Sequence, residues 1–495
     1  MMDLNKTTRQ MHRSAERRLK KIKIIPSDVK LTATTGLGIL LELFNQSPLS
    51  DEFEKCLPPR TSHRSVGSYT LGLMVLAGHL RGVENLSSLQ RVLEDPYVNE
   101  LFYDEVAAVR TVQDFLYDFD EIQTTKLNTF LNNMAKAIFE QLQRQLPQRQ
   151  APRDFIVDMD STYHTSYGEA VEGVAYNYKN QWCLQSHLAF DQLGFCHGIE
   201  LCSGNTKPGD GAASFIERIF RDHRQQRMRR LEGRDFFRGD SAYCNQSVIR
   251  KCLELGLQFT LTAHKSTTQW DRTFSKQSLN WQPWQYSQED LKKAHRASQV
   301  LPKAEIARFY WEPSWAEGTL KLPIIVKRTW MSYSQLKDKA KKNGQKSFFE
   351  LDTVKEEGDW EYYAVVTNFD LTQWNLQEVF EHHRKRGNAE NFVKEGKYNF
   401  NLKKFPCRDL NSNQAWACFA QIAHNLFRWI AILENPDQPS FAKRIRDDFM
   451  FIPGKLASGS HQIILRVSQS AKEVLQKIEG WQFPGFDPAR IFSTA

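Results

Sequence analysis

The chain has 495 residues, of which 41% are hydrophobic and 25% charged, a globular balance that excludes a disordered or collagen-like polypeptide. Its 66 Lys and Arg outnumber 58 Asp and Glu, for a net charge of +8; the surplus suits a polyanionic partner without requiring one. The eight Cys form no CxxC pair and no zinc-finger spacing with His, so they read as buried, reduced thiols.

The leader MMDLNKTTRQMHRSAERRLKKIK is basic with no apolar stretch behind it. It is not a secretory signal, and reads either as a DNA-contacting arm or as a solvated leader. The longest apolar run, LGLMVLAG at 71–78, is far short of a membrane span, so a cytoplasmic protein without a membrane partner is expected. Residues 1–150 read as a helical region: GLGILLELFNQ, YTLGLMVLAGHLRGV, LSSLQRVL and TVQDFLYDF repeat apolar residues every three or four positions. The polar stretch 143–154, with two Pro, reads as a linker.

From residue 151 the texture changes. DFIVDMDST, WCLQSHLAF and FCHGIELCSG predict strands; a helix over GDGAASFIERIFRDHRQQRM, the strand RDFFRGD, the helix SVIRKCLELG and the strand LQFTLTAHK follow. This order predicts an α/β fold with a mixed sheet over 151–265. Residues 266–360, with seven Trp, read as an inserted, largely β subdomain; the core resumes over 361–435 with the strand EYYAVVTN, and 436–495 reads as a C-terminal helical region.

Three acids stand where chemistry collects. Asp158 and Asp160 share one face of the strand DFIVDMDST, and Asp240 ends the strand FFRGD. The third candidate, Glu390, lies in EVFEHHRKRGNAENFVKEGKYNF, residues 378–400. On one continuous helix His383, Arg386, Glu390 and Lys397 would fall within about 60° of each other. Taken alone, that stripe is accounted for by a solvated charged face. Together with two strand-borne aspartates it suits a different task. Carboxylates brought together repel unless cations neutralise them, and all-oxygen donors favour Mg²⁺ or Mn²⁺ over zinc. Two such ions about 4 Å apart support phosphoryl transfer.

DMDST, FRGDSAY and the HxxRxxxExxxxxxK stretch resemble the DDE transposases of bacterial insertion sequences, which have a ribonuclease-H-like core. The resemblance extends to YNYKNQ, LCSGNTKPGDG and RGDSAYCNQSVI, covers roughly 150–430, and points to the 1380 family of insertion sequences. It implies that Asp160 (rather than Asp158), Asp240 and Glu390 are the catalytic, metal-binding acids, with two Mg²⁺ ions that Mn²⁺ can replace. It implies DNA phosphate contacts from Arg386 and Lys397, with His383 assisting from a position the family gives to Tyr. Relatives with a β insertion stack a Trp on a flipped base; the register of AVVTN puts Tyr363 there, with Trp360 as a neighbouring candidate. The implied partners are double-stranded DNA, as terminal inverted repeats and target, and a second copy of the chain. Two rivals remain open at this stage: a catalytically silent DNA-binding derivative, and a structure-selective nuclease. A metal-free two-carboxylate glycosidase is a further alternative, but it has no need of Arg and Lys beside its acid.

Overall fold

A computed structural model describes Met11 and residues 28–60, 65–102, 106–166, 168, 170–227, 233–275, 278–336, 358–459 and 462–482. The basic residues of the leader lie outside these. The described residues of 28–145 form seven helices and one short strand, β1 (Leu31–Thr32). Asn85, Asp95 and Asp120 cap three of the helices with their side chains, and Pro96 stands in the first turn of one of them, where its missing N–H costs nothing. The last helix ends at Gln145, and β2 (Phe155–Thr165) begins the sheet.

Ten strands make one mixed sheet. With β3 (Ala175–Tyr176), β4 (Trp182–Asp191), β5 (Cys196–Ser203), β6 (Asp235–Gly239) and β7 (Gln258–Thr262), the first half runs β5-β4-β2-β6-β7. β2, β6 and β7 are parallel, while β4 is antiparallel to β2, β3 and β5. The second half is β8 (Gln282–Pro283), β9 (Ala304–Trp311), β10 (Leu322–Met331) and β11 (Asp359–Thr367). Contrary to expectation, the inserted region does not form a sheet of its own. β11 pairs antiparallel with β7 and carries β10, β9 and β8 outward as an extension of the same sheet. Three short helices, Lys265–Thr268, Trp270–Ser275 and Gln288–Arg296, interrupt it.

Alternation along β2 sorts its side chains. Val157 and Met159 enter a core with Phe215, Val248 and Leu261, beneath helices Ala212–Arg227 and Gln246–Glu254. Asp158 and Asp160 face the other way, toward helices Leu376–Arg384 and Gly387–Asn399. The helix Leu410–Glu434 is apolar nearly all round and almost wholly buried. It joins the N-terminal helices, β4, β5 and the C-terminal segment in one continuous core. The C-terminal region is not purely helical: β12 (Gly454–Gly459) and β13 (Gln462–Arg466) form a hairpin that pairs with β1. Thus the two ends of the described chain share a sheet as well as a core. Among the described residues no helix is long and apolar enough to cross a membrane.

Candidate active site

The register between two parallel strands builds the site. Met159 of β2 pairs with Gly239 of β6, the last paired position. The next residues are Asp160 and Asp240. There the strands part: β2 continues beside β4 to Thr165, while the other chain turns into a short 3₁₀ turn, Ser241–Tyr243. The two aspartates therefore flank a fork at the carboxyl ends of adjacent strands, where open α/β sheets place ligands. Asp240 caps the turn, accepting a hydrogen bond from the Ala242 N–H at 2.8 Å. Gly239 permits this close turn, because a Cβ there would lie 2.9 Å from the Tyr243 Cβ.

Glu390 reaches the fork from above, but not on one continuous helix. The stretch 378–400 breaks at Lys385 and Arg386 into helices Leu376–Arg384 and Gly387–Asn399. Through the junction, N–H groups of Arg386, Asn388 and Ala389 bond to carbonyls three residues back. Gly387, a weak helix former, stands at the break. The second helix is held down by Phe392, whose ring lies 5.6 Å from Phe190 of β4. Glu390 and Lys397, two turns apart, stand on one side of it. Glu390 is exposed in the first turn, a favourable end for an acid, and its carboxylate lies 3.9 Å from the Arg386 guanidinium. Lys397 donates to the Tyr163 carbonyl of β2 at 2.7 Å.

Electrostatics report the same convergence. The Asp160 carboxyl is pushed up to about 6, first by burial and then by the negative charges of Asp240 and Glu390, with Arg386 opposing. Burial pushes the Lys397 ammonium down, and Asp160 opposes that shift. Asp158 is occupied elsewhere: it is buried and takes a bidentate grip from Arg238, at 2.5 and 2.7 Å. The same guanidinium donates to the His382 carbonyl at 2.7 Å. One buried Arg thus fastens β2, β6 and the helix leading to Glu390 to each other.

His383 departs from the expected phosphate contact. It is 2% exposed, with Nδ1 3.1 Å from the Thr260 hydroxyl and Nε2 3.0 Å from that of Thr262. Burial, with Arg386 and Arg238 nearby, pushes it down to about 3, so it is a neutral ring at physiological pH. The Tyr363 hydroxyl lies 2.7 Å from Thr262 and 3.3 Å from His383. Tyr363 itself is 41% exposed. It lines a cleft of about 360 Å³ with Lys327, Phe380, His383, Arg384 and Arg386. Trp360 points to the opposite face of β11, into a stack with Trp330 and Arg328. Of the two aromatic candidates, only Tyr363 borders the cleft.

Sequence reasoning missed three residues. Arg238 carries a motif position, FRGD, whose buried pairing with Asp158 is legible only once the parallel register is known. Tyr243 lies buried beneath the fork, its hydroxyl 3.4 Å from His187, and feels both Asp160 and Asp240. Lys327 enters the cleft from β10, its Nζ 3.8 Å from the Trp284 ring centroid, and burial pushes it down to about 8.

An acid pair at parallel strand ends, a third acid on a covering helix and bases beside it match the make-up of phosphoryl-transfer sites. The chain belongs to the family described as transposase DDE domain group 1, whose model matches residues 16–478. No curated protein matches the chain. DDE transposases use divalent metals, and the residues at the fork fit one: their donors are carboxylate oxygens, and a cation there would offset the negative charges of Asp240 and Glu390 felt by Asp160. Among the described residues no three acid, His or Cys side chains already form a closed ligand set. Glu390 is solvent-facing and leans toward Arg386.

Proposed function

We propose that the chain is a cut-and-paste DNA transposase of the 1380 family of bacterial insertion sequences, acting at the inverted-repeat ends of its element. The observation that carries this reading is the Met159–Gly239 register, which sets Asp160 and Asp240 side by side at an open fork that Arg386 faces. The strand order β5-β4-β2-β6-β7 supports a ribonuclease-H-like core extended by the insertion. Asp160, Asp240 and Glu390 are assigned to two Mg²⁺ ions, which Mn²⁺ would replace. Bound there, such ions activate the attacking oxygen and stabilise the leaving one.

The chain's own residues orient the DNA. Arg386 and Lys397 hold phosphates of the scissile strand, Lys397 leaving the Tyr163 carbonyl to do so. Tyr363 offers its exposed ring to an unstacked base in the cleft, and Lys327 neutralises that nucleotide's phosphate. His383 fixes the Tyr363 hydroxyl through Thr262 rather than touching DNA. The N-terminal helices and the insertion are assigned to end binding, and two copies of the chain to a synaptic complex. The test compares Mg²⁺-dependent cleavage of a duplex carrying the element's end with that of a scrambled duplex. Preferential cutting at the end is expected. Equal cutting of both would make the chain a nuclease, and binding without cutting would make it a silent derivative.

A further inference from the structure

The three most exposed aromatic rings among the described residues are all tyrosines: Tyr178 at 76%, Tyr398 at 73% and Tyr176 at 63%. All three lie at the Lys397 end of the site. Tyr398 follows Lys397 directly. The Tyr163 carbonyl that receives Lys397 belongs to a residue whose ring packs 6.1 Å from Tyr178. β3, with Tyr176, pairs with Trp182 and Cys183, and the Cys183 thiol lies in the field of Lys397.

These rings are held in place. Asn177 locks the turn between β3 and β4, its side-chain oxygen accepting from the Lys179 and Gln181 N–H groups at 2.8 and 3.0 Å. Asn180 completes the turn at φ 55°. Tyr176 packs on Trp182 at 4.8 Å. Lysines accompany the rings: Lys179 Nζ lies 5.3 Å from the Tyr178 centroid, and Lys403 Nζ 5.6 Å from that of Tyr398. Bare rings flanked by ammonium groups offer bases a stacking face and phosphates a counter-charge. A contact between two protein copies selects against Lys, so the charge favours a nucleic acid.

We propose that the β3–β4 turn and Tyr398 form a docking platform for an unpaired DNA strand, leading away from the carboxylates past Lys397. The platform rests on the reading of the fork as a DNA-cleaving site.

The test uses the full chain without metal, a fluorescein-labelled 15-nucleotide oligo(dT), and a fully paired duplex of arbitrary sequence. Tyr178→Ala is expected to weaken oligo(dT) binding about fivefold or more, with duplex binding changed less than about twofold. Tyr178→Phe keeps the ring and should bind as wild type. Lys179→Ala should lower the salt dependence of oligo(dT) binding by about 0.7 of a logarithmic slope unit. Cleavage of end duplex by the wild type with Mg²⁺ is measured in parallel. Cleavage together with unaltered oligo(dT) binding by Tyr178→Ala would overturn the platform and leave the carboxylate reading standing. A Tyr178-dependent oligo(dT) affinity without any cleavage would support the platform and overturn the catalytic reading. Loss of a dimer in sedimentation on Tyr178→Ala, with oligo(dT) binding unchanged, would make this face a contact between copies and overturn the proposal.

Discussion

Replacing Arg238 with Leu separates the fold of the site from its alignment. Arg238 is 2% exposed and its bidentate partner Asp158 equally buried. Removing one member of such a pair leaves a buried carboxyl without its counter-charge, at a cost of about 3–5 kcal/mol. Replacing both members by apolar side chains of similar volume is often neutral, so Arg238→Leu/Asp158→Leu should recover most of the loss in urea unfolding. The His382 carbonyl, however, loses its donor in both variants. The double variant should therefore fold nearly as well as wild type and still cleave end duplex at least tenfold more slowly, because the Leu376–Arg384 helix then loses its hydrogen bond to β6 ahead of Glu390 and keeps the packing of His382 on Phe236. Urea midpoints and single-turnover cleavage on the same preparations decide it. The reasoning is refuted if Arg238→Leu unfolds within about 1 kcal/mol of wild type, or if the double variant regains full cleavage along with its stability.

Two more outcomes follow from the geometry. Burial lowers the Lys327 ammonium to about 8; a bound phosphate would hold the proton on, so DNA affinity should fall as pH rises from 7 to 9. Lys327→Arg, charged throughout, should flatten that profile in fluorescence anisotropy. Gly239→Ala would drive a methyl group against the Tyr243 Cβ, displacing Asp240 from the fork; cleavage should fall at least tenfold, while metal-free end binding stays within about twofold.

Part of the candidate site was legible because strand alternation and strand ends place its residues, while the choice of Asp160 over Asp158 and of Glu390 came from the family resemblance. Asp158 and Asp160 share a face of β2 by simple alternation, and Asp240 directly follows β6, where Gly239 lets the chain turn. What stayed hidden depends on contacts between distant segments. Nothing local to FRGD reveals that Arg238 neutralises Asp158, which is the physical reason the first aspartate of DMDST is structural and the second faces the fork. The stripe on 378–400 suggested one helix, since residues 376–399 are good formers on both sides of Gly387; the break shows only in the backbone. His383 reads as a phosphate contact because it shares the stripe with Arg386, Glu390 and Lys397 and takes the family's Tyr position, yet it turns onto Thr260 and Thr262 of β7. The insertion's strands could not be assigned to a sheet without knowing that β11 pairs with β7. The C-terminal hairpin was missed because its partner, β1, lies more than 400 residues away.

Asp160, Asp240 and Glu390 are proposed to act together as a metal-dependent centre in which Asp158 takes no part. Single-turnover cleavage of end duplex in Mg²⁺ or EDTA tests it directly, comparing wild type with Asp160→Asn, Asp240→Asn, Glu390→Gln and, as the contrast, Asp158→Asn. EDTA and each of the first three substitutions should abolish strand cleavage with end binding retained, whereas Asp158→Asn should lower stability and keep measurable metal-dependent cutting. Full cleavage by Asp240→Asn, or by the wild type in EDTA, would contradict it.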